Sequence, residues 1–528
     1  MSTSIPTVSA TLLRAWLHDG QEVALLDVRE AGQFGEGHPF FAVSLPYSRL
    51  ELEVARLVPR RTTRTVLLDA GDGVAERAAA RLHRLGYTAL HVLAGGAAAW
   101  AVAGYTLFKG VNVPSKTFGE QVEQVLGTPH MSAQEFHARR IAGEPLVLLD
   151  GRTFEEHRKM TVPGAVSVPN GELAWRWRSL VPDPATPVII HCAGRTRSLI
   201  GAQILRNLGL PNPVFALENG TQGWSLAGLE LERGSGRQSQ GEPNVHPADV
   251  AAAARDAAAA GAPVLSVAQA QAWLDDERRT TFVLDVREAE EFARGTLAGA
   301  RHAPGGQLLQ ATDLYVGVRG SRVLVLDHEA VRAPVIAAWL RRLGYAAATV
   351  EHGVHAPLRV SGPVAPRLVP LPQVGAQALA DWVSEHHPHL FDLQSSLAYR
   401  RQHAAGAAWT LRPRLPVDAA PGRDDGRRPV LLLATDARLA SLAAVDLREL
   451  GWQDVRWTHV DSWLAAGLPT ASTSAHPPDA AAIDHLFFVH DRHEGNLDAA
   501  RRYLQWETGL LAQCDADELA TFRLPPRH

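Results

Sequence analysis

Two cysteines in 528 residues, Cys192 and Cys514, cannot build a disulfide framework. Such sparsity fits a reducing compartment, where a thiol is kept for chemistry or by chance. Long apolar runs are missing too: no uninterrupted stretch reaches the roughly 18 residues that a membrane helix needs. The opening MSTSIPTVSATLLRAWLHDG has no basic start, apolar core and small-residue cleavage site of the kind that marks a secretory signal. An excess of positive charge is also absent. Lys and Arg number 52 against 56 Asp and Glu, a net charge of −4, and the basic residues are dispersed. That argues against a nucleic-acid footprint or a polybasic membrane patch. The expectation is a soluble, cytoplasmic protein with neither nucleic acid nor membrane as partner.

What the chain does have is repetition. With 46% hydrophobic and 20% charged residues it is globular and long enough for roughly three to five domains. LLDVRE (Leu25–Glu30), LLDGRT (Leu148–Thr153), VLDVRE (Val283–Glu288) and the degraded LFDLQS (Leu390–Ser395) are each a short apolar run ending in aspartate. Downstream come RLHRLGY, ILRNLGL, WLRRLGY and DLRELGW, amphipathic segments stopped at a glycine as helices commonly are. From Asp27 to Gly86, Asp150 to Gly209, Asp285 to Gly344 and Asp392 to Gly451 the interval is 59 residues each time. A second apolar strand lies between these landmarks (TVLLD, VIIHC, VLVLD, VLLLA) and a third follows the glycine. Strands alternating with helices imply parallel pairing through right-handed crossovers, an α/β layer structure in every unit.

Three units close with a related tail, GGAAAWAVAGY, NGTQGWSLAGL and VDSWLAAGL, whose Trp100, Trp224 and Trp463 are assigned to the core. Residues 112–128, 234–262, 363–372 and 472–478 have connector composition, with an alanine-rich helix in the second. The resulting boundaries are 1–110, 128–235, 262–362 and 370–471, followed by a tail, 479–528, expected to be helical from the periodicity of DHLFFVHDRHEGNLDAARRYLQWETGLLAQ.

Seventeen residues before each glycine stand Asp69, Cys192, Asp327 and Ala434, at the carboxyl end of the second strand. One unit of four therefore carries a nucleophile, where ligands of open parallel sheets bind. The loop CAGRTR before a helix starting near Ser198 can curl its backbone N–H groups toward the sulfur, with Gly194 permitting angles a side chain would forbid. The helix dipole and the cations Arg195 and Arg197 would favour a thiolate. An aspartate at position 69 or 327 would place a carboxylate among the same N–H groups.

With these motifs on view, the sequence resembles the rhodaneses, the sulfurtransferase fold. The resemblance rests on the LDxR opening, the Cys-x-Gly-x-x-Arg-Ser loop after a strand, the LG helix end and the NG-x-x-x-W close. It implies an α/β protein of four tandem rhodanese-like domains, each a small parallel sheet flanked by helices, plus the C-terminal helical tail. It further implies that Cys192 carries a sulfane sulfur as a persulfide and that Ala193, Gly194, Arg195, Thr196, Arg197 and Ser198 form the substrate-binding loop. The implied reaction takes sulfur from thiosulfate or a related donor to a thiol or cyanide, with ping-pong kinetics and with no metal or organic cofactor. Two other classes stay open. A phosphatase or arsenate reductase would use a longer loop, Cys-x5-Arg, where Cys192 to Arg197 is Cys-x4-Arg; an interaction scaffold would explain three units without the thiol, through self-association or docking of an acceptor protein.

The remaining polar residues divide by context. Asp150 and Arg152 recur as Asp27/Arg29 and Asp285/Arg287 in units without the cysteine, which indicates fold-stabilising hydrogen bonds. His157, Arg158 and Lys159 belong either to the mouth of the site or to a solvated loop. His191 alternates away from Cys192 along the strand and is not assigned as a base. Cys514 has no basic neighbours or glycine loop and is taken as structural. His490 and His493 have helical i,i+3 spacing without an evident third ligand.

Overall fold

A computed structural model describes residues 5–181, 183–239, 241–420, 428–489 and 491–525. It contains three five-stranded parallel sheets and one four-stranded parallel sheet, one per repeat. In the second unit the strands are His130–Met131, Val147–Asp150, Val166–Ser167, Val188–His191 and Val214–Leu217, in spatial order first, fifth, fourth, second, third. The first and third units repeat that order. Val188–His191 is buried along its whole length, as an apolar strand covered by helices on both faces must be. Its register against Val147–Asp150 sets Asp150 beside His191. The four LG glycines have positive φ, from 78° to 105°, the left-handed cap that ends each helix before the next strand. In the fourth unit the outermost strand is reduced to a single bridge between Gln373 and Trp457.

Trp100, Trp224 and Trp463 are buried, and each indole N–H donates to the carbonyl six residues on, at 2.9–3.0 Å. The third unit ends instead in a short 3-10 turn, Gly353–His355.

Two expectations need correction. The connector 112–128 contains a helix, Val113–Leu126, whose Lys116, Phe118, Glu120 and Val122 are buried. It packs on the helix that follows Cys192: a methyl at Gly119 would come within 2.8 Å of the Thr196 methyl. Phe118 also meets Trp339 of the third unit and Phe522 of the tail, with ring centroids 5.9 and 5.3 Å apart. The segment is therefore part of a core shared among units.

The tail is not helical throughout. After a short turn at Asp479–Ala481 the described residues up to Asn496 form no helix or strand, and helices occupy Leu497–Thr508, Leu510–Gln513 and Ala516–Leu519. The non-helical part is used as a strap. The Ile483 carbonyl accepts from Gly32 and Gln33 N–H of the first unit, and Leu486 lies against Gly35. Gly495 at φ 96° and the Asn496 side chain, which accepts from Ala499 N–H at 3.0 Å, delay the helix start.

Candidate active site

Cys192 follows strand Val188–His191, is 2% exposed, and precedes the helix Thr196–Asn207. The turn after the last strand clamps this loop. Asn219 and Gly220 both have positive φ, and a Cβ on Gly220 would stand 2.1 Å from the Cys192 carbonyl oxygen. That closeness lets Thr221 N–H reach the Cys192 carbonyl at 2.8 Å and Gln222 N–H reach that of Ala193 at 3.1 Å. The Cys192 thiol donates toward Ser198 Oγ at 3.6 Å, while that hydroxyl donates to the Arg195 carbonyl at 2.7 Å. The first N–H groups of the helix have no intrahelical acceptor.

Both loop arginines already have carboxylate partners. Arg197 makes a two-pronged pair with Glu156, 2.7 Å on each arm. Burial opposes ionisation of Glu156, but Arg197 overrides it and holds the carboxyl at about 2. Arg195 bonds Glu120 at 2.8 and 3.0 Å and also pairs with Glu123. Burial pushes Glu120 up to about 7 despite Arg195. Sequence reading missed these two glutamates because they lie in the supposed connector; the spacing of Val113, Phe118 and Val122 was the available sign of a helix with one buried face.

The loop opens into a cavity of about 300 Å³ built from four parts of the chain. Residues of the loop form its floor; Asn112 and Lys116 come from the connector helix and its start, Gln307 and Gln310 from the third unit, and Arg492, His493, Tyr503, Trp506 and Glu507 from the tail. Thr196 Oγ donates to Glu507 at 2.7 Å, and Lys116 pairs with Glu507 at 3.4 Å and with the Tyr503 hydroxyl. Burial alone would raise Glu507, yet Lys116, Thr196 and Arg195 hold it below its ordinary value. Gly194 does not have the left-handed backbone expected of it; glycine is needed there for space, since a methyl would lie 2.9 Å from Glu507 Oε2 and 3.0 Å from the Tyr503 ring, so the tail packs directly on the loop. A larger cavity, about 940 Å³, separates the second and third units, but Cys192 does not line it.

The other residues singled out from the sequence sort clearly. Asp150 holds Arg152 through both carboxylate oxygens at 2.7 and 2.9 Å, and Asp27/Arg29 and Asp285/Arg287 repeat the arrangement. His157 is neither at the mouth nor in a solvated loop: it is fully buried, bonded to Asp150 and Ser235 at 3.0 Å each. Arg158 and Lys159 are exposed. His191 is buried against Thr161 and Asp150, and burial lowers it to about 4. Burial, with Glu518 adding to it, pushes the Cys514 thiol up to about 12. His490 lies outside the described residues, so the pair with His493 has no geometry. Asp69 accepts from Gly71 and Ala75 N–H at 2.8 and 3.0 Å. Asp327 accepts from Ala330, Val331 and Ala333 N–H at 2.9–3.2 Å.

The architecture and the loop define a class: tandem parallel α/β units in which one strand end presents a cysteine to a helix start. The model of the rhodanese-like domain matches residues 9–103, 132–227 and 266–356, more than half of the chain, and the protein belongs to the rhodanese family. The fourth sheet lies outside those ranges. Among solved structures, a thiosulfate sulfurtransferase from Pseudomonas aeruginosa is 39% identical with a TM-score of 0.89, over 98% of this chain and 100% of that one. Among curated proteins, an HTH-type transcriptional regulator of Mycobacterium tuberculosis is 34% identical over 115 residues, 21% of this chain. The chain spans about half the length of that curated relative, 49%.

Proposed function

We propose that the protein is a sulfurtransferase that carries a sulfane sulfur as a persulfide on Cys192, taking it from thiosulfate or a related donor. The observation that carries this reading is the pair of silent loops. An aspartate oxygen lies one bond beyond the Cγ position, as the outer sulfur of a persulfide lies one bond beyond Sγ. At Asp69 and Asp327 that outer atom takes the N–H groups at the helix start. Cys192 carries no such outer atom, and it lines a cavity of about 300 Å³ from which one could be delivered. The Cys192 thiolate attacks the outer sulfur of thiosulfate, the sulfur–sulfur bond breaks, and its electron pair leaves on sulfite. A thiol or cyanide then removes the outer sulfur and restores the thiolate. Backbone N–H groups stabilise the intermediate as an oxyanion hole does.

The three units without a cysteine have a supporting role in this reading. Arg412 of the fourth unit is buried against Glu51 of the first at 2.7 Å, and Arg332 of the third against Glu172 of the second at 2.9 Å. These contacts favour assembly of one catalytic unit by three non-catalytic ones, with docking of an acceptor protein as a secondary role. Among the described residues no helix is long and apolar enough to cross a membrane. Mass spectrometry after treatment with thiosulfate tests the reading: one added sulfur on the peptide bearing Cys192 is expected, and turnover of an aryl phosphate without it would sink the proposal.

A further inference from the structure

Of the cations that line the Cys192 cavity, three are neutralised within the protein. Arg195 is bound by Glu120 and Glu123, Arg197 by Glu156, and Lys116 by Glu507. The fourth, Arg492, comes from the tail strap. Its guanidinium stacks over the Tyr503 ring at 4.5 Å from the centroid. Among the described residues its one hydrogen bond is a long one, 3.4 Å, to the Val489 carbonyl, and its Nε is buried without a partner. No carboxylate pairs with it among the described residues, although tail neighbours do pair, Arg501 with Asp498 and Glu494 with Lys159. Arg492 is half-buried, and a guanidinium with a buried, unpartnered Nε and no carboxylate beside it is placed to accept an anion.

The cavity is also polarised. Tyr503 and Glu507 stand one helical turn apart on the same face of Leu497–Thr508. Arg492 covers the tyrosine, whereas Glu507 presses on Gly194 with Oε2 buried and unpartnered. Because Lys116 offsets Glu507, the charge left to meet a dianion entering the cavity is that of Arg492. Arginine suits the task because its planar fork matches two oxygens of a sulfonate at once.

We propose that Arg492, rather than the loop arginines, binds the oxyanion end of the sulfur donor and turns the outer sulfur toward Cys192. The proposal rests on the persulfide reading above. It makes the tail a donor-recognition element and restricts donors to those with an anionic head, such as thiosulfate or an organic thiosulfonate. The paired loop arginines then hold the loop in shape.

The test is steady-state thiosulfate:cyanide sulfurtransfer by the full chain carrying Arg492→Gln, Arg492→Lys or, as a control, Arg501→Gln. Loss of a binding interaction shared by ground and transition states raises KM without changing kcat. Arg492→Gln is expected to raise the KM for thiosulfate about tenfold or more, with kcat within about twofold and the KM for cyanide unchanged. Arg492→Lys should recover part of the loss, and Arg501→Gln should match the unaltered protein. A KM within about twofold of the unaltered protein for Arg492→Gln overturns the assignment. Should that variant fail to fold, phenylglyoxal labelling of the unaltered protein decides: protection of Arg492 by thiosulfate supports the proposal and equal labelling overturns it. If the unaltered protein gains no sulfur on Cys192, the persulfide reading itself falls and the role of Arg492 with it.

Discussion

The loops after Cys192 and Asp327 begin at the same strand end and meet the same helix start, yet they are filled differently. Asp327 closes its own loop with three backbone N–H groups, so nothing further can enter. Burial, with the Glu329 charge beside it, pushes this carboxyl well above its ordinary value. Cys192 has no outer atom of this kind, and its Sγ bonds Ser198 Oγ. One loop arginine is shared and the other is not: Arg332 pairs with Glu291 as Arg197 pairs with Glu156, and it also bonds Glu329 of its own loop and Glu172 of the second unit, whereas Ala330 stands at the position of Arg195. The fourth unit discards the device: Ala434 offers no side-chain donor or acceptor, and Asp436 caps the next helix through Arg438 N–H at 2.8 Å. A helix start demands an acceptor; a silent unit supplies a permanent one, and the second unit keeps the place for a transient one.

The largest effect should come from removing the difference. Cys192→Ser should abolish thiosulfate:cyanide sulfurtransfer in steady-state assays, and Asp69→Cys in that background should not restore it, because GDGVAE lacks the arginine pair; residual turnover above a few per cent of the original would break the comparison. Gly194→Ala tests the contact between loop and tail. The methyl must displace Glu507 or Tyr503, so we expect a loss of about 1–3 kcal/mol in thermal unfolding together with reduced sulfurtransfer. Asp327→Ala strands three N–H groups and should lower stability by about 1–3 kcal/mol, read by denaturant unfolding, while leaving sulfurtransfer unchanged.

A smaller effect concerns acid. Glu156 is held at about 2 in the folded protein, below its unfolded value near about 4.3, so its pairing with Arg197 contributes fully above that value. The contribution is lost as pH falls toward 2. Glu156→Gln should therefore flatten part of the fall in melting temperature between about pH 4.5 and 2.5. Cys514→Ser should change least, with sulfurtransfer and persulfide loading as in the unaltered protein.

Much of this organisation was legible in the chain because it is local and repeated. The aspartate at a strand end, the glycine at a helix end and the 59 residues between them recur four times, and each signal acts within a few residues of itself. The aspartates at 69 and 327 could be placed among N–H groups for the same reason: strand, turn and helix start are contiguous. His157 was misjudged, since its partners Asp150 and Ser235 lie on separate segments that meet only when the sheet edge is closed.

By itself, then, the sequence determined the repeated α/β units, the one strand-end thiol among them and the backbone loop around it, because hydrogen-bond caps and apolar periodicity are set by near neighbours. Tertiary structure alone decided which charges face that thiol. Glu120 reaches Arg195 across 75 residues and Glu507 reaches Thr196 across 311. The connector helix and the tail come to the Cys192 loop because their apolar faces, Phe118 and Phe522 among them, are buried in a core shared with the third unit. A charged group's partner depends on distance in space, and that distance is fixed only once the shared core has packed.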